Sequence, residues 1–382
     1  MEAPWLDKNR MEVWLNSPVK EILSEDNSKK GDNYLSNMKR LKVKTADGQV
    51  YSLVVKCRLE EGFAAEVFRE TTIFKREQDM YGHILNKMAQ LLQNAFPDGV
   101  DPFAAKCYYA CKSFLVLEDM NASGFKMEDR RLGLDLDQCL LVLRTIAKFH
   151  AASVILHEQN PSIFEKYGTS LFCDDSILEY MRNVWTGFTM TLANEVATWG
   201  EECHTYSVKL RESSGRQNNE FNVLNHGDLW TNNMLIKNRT EGIRFVDYQL
   251  IHHASPAIDL HYFITTSAKL EVVRNHRDYL IKEYHNKLCE TLTALGYDKK
   301  IITLEELYED LDKKAMYGLF TMLGPYAVIQ SDPNCGYSFD EALSTGKNPG
   351  FCYVQRRLQG SCQNIASFIK QKRHVGHVRL NI

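Results

Sequence analysis

The segment VLNHGDLWTNNML (Val223–Leu235) sets His226, Asp228 and Asn233 on a short stretch between apolar residues. Shortly after it, GIRFVDYQ (Gly242–Gln249) ends an apolar run on a second acid, Asp247. Polar groups set against apolar chain are costly unless they are paired or used, so this concentration points to chemistry. Phosphoryl transfer fits the residue types. It asks a protein to hold a nucleotide still, to place metal ions on its phosphates, and to orient and deprotonate an acceptor hydroxyl. Asp228 and Asn233, five positions apart, can supply a base and a metal ligand. Asp247 can supply a second ligand, and magnesium takes oxygen donors of this kind. Lys56, which ends the extended run YSLVVK, can neutralise phosphate charge, and Glu77 in FKREQDMY can hold that lysine in place.

Each of these residues also has a plainer reading. Asp247 could be a turn residue after a strand, and many strands end in Lys as Lys56 does. Glu66 and Glu70 compete with Glu77, which is singled out because Ile73, Glu77, Tyr81 and Ile84 fall on one side of a helix. His226 could carry a proton, since His titrates near neutral pH, or it could brace the loop that presents Asp228. His150 lies on an apolar helix face and reads as a satisfied core residue. His252 and His253 are adjacent on an extended chain and should point opposite ways, which argues against a shared metal.

The elements that must position these groups follow a consistent order. Residues 31–59 hold two extended runs around Asp47-Gly48, a hairpin signal. In the second run Lys56 shares a face with Val54. One helix is predicted over residues 63–92, then a loop (FPDGVDP), then a strand pair within residues 104–120. NASGFK (Asn121–Lys126) reads as a connector. The chain then turns helical at 134–156, with Asp137 as N-cap. Further amphipathic segments are predicted at 177–199, 268–295, 304–330 and 353–372, with a polar loop at Arg211–Glu220 leading into the first motif.

With these residues quoted, the sequence resembles the ecdysteroid kinase-like family, a branch of the choline-kinase and aminoglycoside-phosphotransferase group within the protein-kinase-like fold. The H-G-D-x-W-x-x-N-N pattern stands at His226, Gly227, Asp228, Trp230, Asn232 and Asn233, and D-[FY]-Q at Asp247, Tyr248 and Gln249. E-D-[LM] stands at Glu118–Met120 and F-H-A at Phe149–Ala151. The resemblance implies an α+β, two-lobed fold with a small β-rich N-lobe (1–117), a hinge (118–124) and a larger, mainly helical C-lobe (125–382). It implies Asp228 as the base, Asn233 and Asp247 as magnesium ligands, and Lys56, paired with Glu77, on the phosphates of ATP. Adenine would meet the backbone near Glu118 and Met120. Asp259 would hold the catalytic loop through hydrogen bonds, although it also reads as a helix N-terminal residue. Trp230 would wall the site or pin the loop.

Departures from protein kinases matter. There is no G-x-G-x-x-G; GDNYLSN (Gly31–Asn37) offers one glycine, so Asn33 or Ser36 side chains are called on to help cradle phosphates. Gln249 stands where protein kinases have the glycine of D-F-G, and no A-P-E segment follows. These absences favour a small-molecule kinase over a phosphorylation-switched protein kinase. The expected acceptor is the hydroxyl of an ecdysteroid or similar apolar compound. The alternatives are a xenobiotic- or choline-directed kinase and a ligand-binding pseudokinase. Aromatic residues of the helical part (Trp185, Phe188, Trp199, Tyr206, Phe263, Tyr317, Phe320, Tyr326) could line an acceptor pocket, or simply fill core.

Composition narrows the remaining classes. The 382 residues carry 46 basic and 49 acidic side chains, a net charge of −3, which argues against a nucleic-acid binder. The basic cluster at Lys370–Leu380 reads as a solvated tail. No apolar run reaches the length of a membrane span, and the first residues lack the apolar stretch of a signal peptide. Ten scattered cysteines with no C-x-x-C pair read as reduced thiols. These features predict a cytoplasmic protein without a membrane partner. No motif speaks to oligomeric state.

Overall fold

The computed structural model describes residues 6–25, 36–69, 71–168, 221–323, 325–330 and 344. The chain opens with α1 (Lys8–Leu15), capped by the Asp7 carboxylate, which accepts from the Asn9 N–H at 2.9 Å. Three strands follow: β1 (Val19–Glu25), β2 (Ser36–Thr45) and β3 (Val50–Arg58). The turn between β2 and β3 sits at Asp47-Gly48, where Gly48 takes φ 87°. With β4 (Cys107–Ala110) and β5 (Phe114–Glu118) they form one antiparallel sheet in the order β1-β2-β3-β5-β4.

The centre of the sheet is buried on both faces, so consecutive residues Leu53–Lys56 of β3 and Phe114–Leu117 of β5 are all buried, while β2 alternates between buried and exposed positions. Leu53 and Val55 pack with Phe114, Val116 and the buried Met11 and Leu15 of α1. Val54 and Lys56 face the other way, and Lys56 pairs across the sheet with Leu115, a member of the main core. A lysine is thus delivered to the inner face by strand alternation alone.

The single helix expected over 63–92 is instead three pieces. α2 (Phe63–Val67) stops before Thr71, whose hydroxyl donates back to the Phe68 carbonyl, a side-chain bond that competes with helix continuation. α3 (Ile73–Asp79) and α4 (Leu85–Ala95) are joined by a π-helical turn, Met80–Ile84. The expected apolar face survives: Ile73, Glu77, Tyr81 and Ile84 are all buried.

The chain leaves the sheet at Glu118, turns through Met120–Gly124, and enters β6 (Phe125–Lys126). The large core helix is α5 (Leu136–Gln159). Its cap is Asp135 rather than Asp137. Asp135 and Gln138 form a reciprocal capping box, and Asp137 merely sits in the first turn. Among the described residues α5 is the one helix long and apolar enough to cross a membrane, and 78% of that apolar window is buried inside the protein.

Four short strands follow: β7 (Val223–Asn225), β8 (Met234–Lys237), β9 (Gly242–Phe245) and β10 (His252–Ala254). β6, β8 and β9 form one small sheet, and β7 pairs with β10. Five helices complete the described chain: α6 (Ala257–Thr266), α7 (Leu270–Ala294), α8 (Leu304–Lys313), α9 (Ala315–Leu323) and α10 (Pro325–Ile329). The last three replace the single helix expected over 304–330. The architecture is α+β and two-lobed, a sheet-rich part followed by a helical part, as in kinases. Asn33, the helical segments at 177–199 and 353–372, the polar loop Arg211–Glu220, and Trp185, Phe188, Trp199 and Tyr206 lie outside the described residues. Among the described residues Cys57, Cys107, Cys111, Cys139 and Cys289 form no disulfide.

The capping geometry yields a paired test. Asp135→Ala should lower unfolding free energy by about 1 kcal/mol, the usual worth of an N-cap. Asp137→Ala should cost no more than a few tenths of a kcal/mol. Urea denaturation of the two variants measures the difference; equal losses would remove the cap from Asp135.

Candidate active site

The site is built where β3, α3 and the end of β9 converge. Lys56 Nζ lies 2.8 Å from Glu77 of α3 and 2.9 Å from Oδ1 of Asp247. Both Lys56 and Glu77 are almost wholly buried, whereas Asp247 keeps part of its side chain open. Burial works against the Lys56 ammonium, but the two carboxylates outweigh it and its pKa rises. Burial pushes the Glu77 pKa upward, and the negative charge of Asp247 adds to this, because one ammonium is shared between two acids. The second Glu77 oxygen accepts from Gln249 Nε2 at 3.1 Å. Gln249 therefore does what a glycine there could not: it ties α3 to the segment after Asp247.

Asp247 itself sits at φ 66°, ψ 59°, the left-handed region that costs a non-glycine residue about 1 kcal/mol. The neighbouring contacts hold it there. The Val246 N–H donates to the Asn233 carbonyl at 3.0 Å, continuing the β8–β9 pairing and setting Asn233 beside the turn. His226 Nε2 lies 3.0 Å from the Val246 carbonyl, so its N–H can donate there, and burial lowers the ring's pKa. Among the described residues that is the ring's one hydrogen bond, which makes His226 a brace on the strand end carrying Asp247.

The loop from His226 to Asn233 hangs from Asp259 in the first turn of α6. One Asp259 oxygen accepts from the His226 N–H at 2.7 Å and the other from the Gly227 N–H at 2.9 Å. His150 Nε2 adds a contact at 3.1 Å, and the hydroxyl of Tyr284 backs the other ring nitrogen at 2.7 Å. Asp259 is fully buried. Burial alone would raise its pKa, but the donors from His150, His226 and Gly227 outweigh it and lower the pKa. Its carboxylate thus serves the loop rather than capping its own helix. Gly227 has no alternative at its position: at φ 80°, a Cβ would stand 2.1 Å from the Leu250 carbonyl oxygen.

Asp228 is presented with three donors on its carboxylate. Oδ1 accepts from the Tyr262 hydroxyl at 2.5 Å. Oδ2 accepts from Asn233 Nδ2 at 2.7 Å and Trp230 Nε1 at 3.2 Å. Burial pushes its pKa up to about 6 against the pull of these hydrogen bonds. Asn233 Nδ2 also donates to the Asp228 carbonyl at 2.9 Å, which fixes the amide and leaves its oxygen facing away. Among the described residues neither Asn233 Oδ1 nor Asp247 Oδ2 has a hydrogen-bond partner.

The other sequence-derived candidates divide. The Glu118 and Asp119 N–H groups are spent within the fold, on the carbonyls of Lys106 and Ser52. The Met120 N–H has no acceptor among the described residues. Ser36 is buried at the start of β2, opposite Arg58. His252 and His253 diverge as expected: the first bonds the Leu250 carbonyl, and the second packs on His157 with ring centroids 4.6 Å apart. Two contacts within the site escaped sequence reasoning, the Gln249–Glu77 bond and the Tyr262–Asp228 bond. For Tyr262 a signal existed: it follows Asp259 by three residues on one helix, so both must face the same loop.

A family model described as the ecdysteroid kinase-like family matches residues 30–297, most of the chain. The chain belongs to the ecdysteroid kinase-like family. No curated protein matches the sequence. Solved structures similar to it include an ethanolamine kinase from Plasmodium vivax, at 14% identity and TM-score 0.42, covering 90% of this chain and 82% of that one. Another is a putative aminoglycoside phosphotransferase from Ralstonia eutropha, at 13% identity and TM-score 0.43, covering 84% of this chain and 98% of that one. A type I macrolide 2'-phosphotransferase, at 13% identity and TM-score 0.38, covers 93% and 98% respectively. The family is one of small-molecule kinases.

Asp259 gives the strongest test of how the loop is held. Asp259→Asn replaces one accepting oxygen with a donor amide facing N–H groups, leaving a buried donor unpaired. That should cost roughly 2–4 kcal/mol, read as a lower urea midpoint. A loss under about 0.5 kcal/mol would mean the loop does not depend on this carboxylate.

Proposed function

We propose that this protein transfers the γ-phosphate of ATP to the hydroxyl of a small-molecule alcohol, an ecdysteroid or similarly apolar compound. The observation that carries the reading is the buried Lys56–Glu77–Asp247 ion triad next to Asp228 and Asn233. Lys56 is the group to meet the nucleotide's phosphates, with Glu77 holding it. The unpaired Met120 N–H is the backbone donor suited to the adenine edge.

The donor set fits a magnesium ion. Asn233 Oδ1 and Asp247 Oδ2 are oxygens without partners among the described residues, and an all-oxygen set is what this ion prefers. Asn233 and Asp247 would hold it, and when bound it would neutralise charge on the phosphate oxygens. Asp228 orients the acceptor hydroxyl and takes up its proton. A carboxylate whose pKa has risen toward neutrality is a better general base than an ordinary Asp while remaining mostly ionised at pH 7.

The acceptor preference rests on the wall beside this base. Ala254, Ile258, Tyr262, Tyr317 and Phe320 form a buried apolar cluster, and Trp230 packs against it. Trp230, half-buried, is the member of this wall whose ring stays partly open, and a flat apolar alcohol gains from such a face, while a strongly cationic acceptor would call for acidic walls.

Purified protein incubated with ATP, magnesium and a panel of ecdysteroids, choline and plant alcohols should add one phosphate to an apolar member, seen by mass spectrometry. Asp228→Asn should lower kcat by roughly 10²- to 10⁴-fold with nucleotide affinity retained; unchanged turnover would remove Asp228 as the base. Failure to bind nucleotide at all would leave a ligand-binding role instead.

The pH profile supplies an independent check. The base works ionised, so kcat should fall as pH drops through about 6. The same raised pKa makes ionisation a cost to the folded state, so Asp228's contribution to stability is lost as pH rises through that value. A flat rate between pH 5 and pH 7, on the order of two pH units, would contradict the assignment.

A further inference from the structure

Any proton acceptor at Asp228 must have a free lone pair, and the hydrogen bonds leave little choice. An ionised carboxylate offers about two acceptor positions on each oxygen. Oδ2 is filled by Asn233 Nδ2 at 2.7 Å and Trp230 Nε1 at 3.2 Å. Among the described residues Oδ1 holds a single partner, the Tyr262 hydroxyl at 2.5 Å. One acceptor position therefore remains, and it is on Oδ1.

Resting on the kinase reading above, we propose that Tyr262 and Trp230 are positioning residues that aim the Asp228 carboxylate so that Oδ1 receives the acceptor's proton. The alcohol oxygen forms its bond to the terminal phosphorus of ATP. The bond from that phosphorus to the bridging oxygen breaks, its electron pair leaves with ADP, and the hydroxyl proton passes to Oδ1. Tyr262 cannot rotate out of this role easily. It is 3% exposed, packed in the cluster with Ile258, Tyr317 and Phe320, and lies one helical turn from Asp259, which anchors the loop bearing Asp228. Helix α6 thus sets both the height of the loop, through Asp259, and the rotation of its carboxylate, through Tyr262.

Trp230 has the complementary task. Its indole N–H closes the second position on Oδ2, so a substrate hydroxyl approaching that oxygen finds no lone pair. The same ring packs against the apolar cluster, so the wall that would meet an apolar acceptor and the donor that orients the base belong to one side chain.

Tyr262→Phe removes one hydroxyl and keeps the ring. It should lower kcat roughly ten- to hundredfold, the worth of a hydrogen bond to a charged group. KM for ATP and magnesium-nucleotide affinity by calorimetry should stay at wild-type values, a split that a merely structural role would not produce together with a fall in kcat. In nucleotide-free protein, NMR should show a slowly exchanging Tyr262 hydroxyl proton that disappears in Tyr262→Phe and shifts in Asp228→Asn. Should Tyr262→Phe melt far below wild type, Trp230→Phe carries the test through the same split, with a loss of roughly three- to tenfold in kcat. An active wild type with kcat unchanged in these variants, or a Tyr262 proton insensitive to Asp228→Asn, overturns the inference alone. A wild type that binds nucleotide but phosphorylates no alcohol overturns the kinase reading and takes the inference with it.

Discussion

One ammonium group shared by two carboxylates organises the structure. Lys56 reaches inward because β3 alternates between two buried faces, and a lone buried cation at that point would be far more costly than any apolar residue. Glu77 from α3 and Asp247 from the turn after β9 pair with it. Three segments distant in sequence are thereby tied at one atom. Removing either acid would leave the lysine's charge less compensated in a poorly solvated place, so strand, helix and turn are held to one another by electrostatic necessity rather than by contact area. Gln249 extends the tie by filling the second oxygen of Glu77.

A second buried acid does the corresponding work for the loop. Asp259 accepts two backbone N–H groups and a histidine N–H, and its pKa falls despite complete burial. The contrast with Asp228 is instructive. Asp228 also collects hydrogen bonds, yet its pKa rises to about 6. Asp259 is met by His150 and by the positive ends of backbone amides, while Asp228 is met by neutral donors and feels the negative charge of Asp247. One acid is stabilised as an anion to serve structure; the other is held near the point of taking up a proton.

What the sequence made legible follows from how local each interaction is. That Asp228, Asn233 and Asp247 come together could be read because they sit at short spacings on one loop and one strand end. Lys56 and Glu77 could be read from strand and helix periodicity, since burial of one face obliges a partner. Asp259 was readable only through the family resemblance, because its partners are backbone groups that leave no mark on composition. Gln249 meets Glu77 across 172 residues, and no local pattern encodes such a meeting, whereas the one available sign for Tyr262 was its place one helical turn after Asp259. α1 was missed because only Met11 and Leu15 of its eight residues are buried, too few for a periodic signal. The break in the helix after α2 was hidden by a continuous apolar face, while a threonine hydroxyl at Thr71 competed for the backbone. Asp137 displaced Asp135 as the expected cap because both are acids at the helix start, and only the reciprocal bond with Gln138 separates them.

The charge balance of the site bears on how a nucleotide would enter it. Glu77, Asp228, Asp247 and Asp259 converge on a region in which Lys56 is already shared between two of them. A triphosphate brought in alone would face an excess of negative charge at short range, where the low local dielectric strengthens repulsion. One lysine cannot compensate both the acids and the phosphates. Among the described residues the oxygens left without hydrogen-bond partners are on Asn233 and Asp247, and additional positive charge there would relieve the imbalance. The proposed activity therefore requires the nucleotide to arrive with a divalent cation. Asn233 and Asp247 would hold such a cation, which would supply the positive charge that Lys56 alone does not.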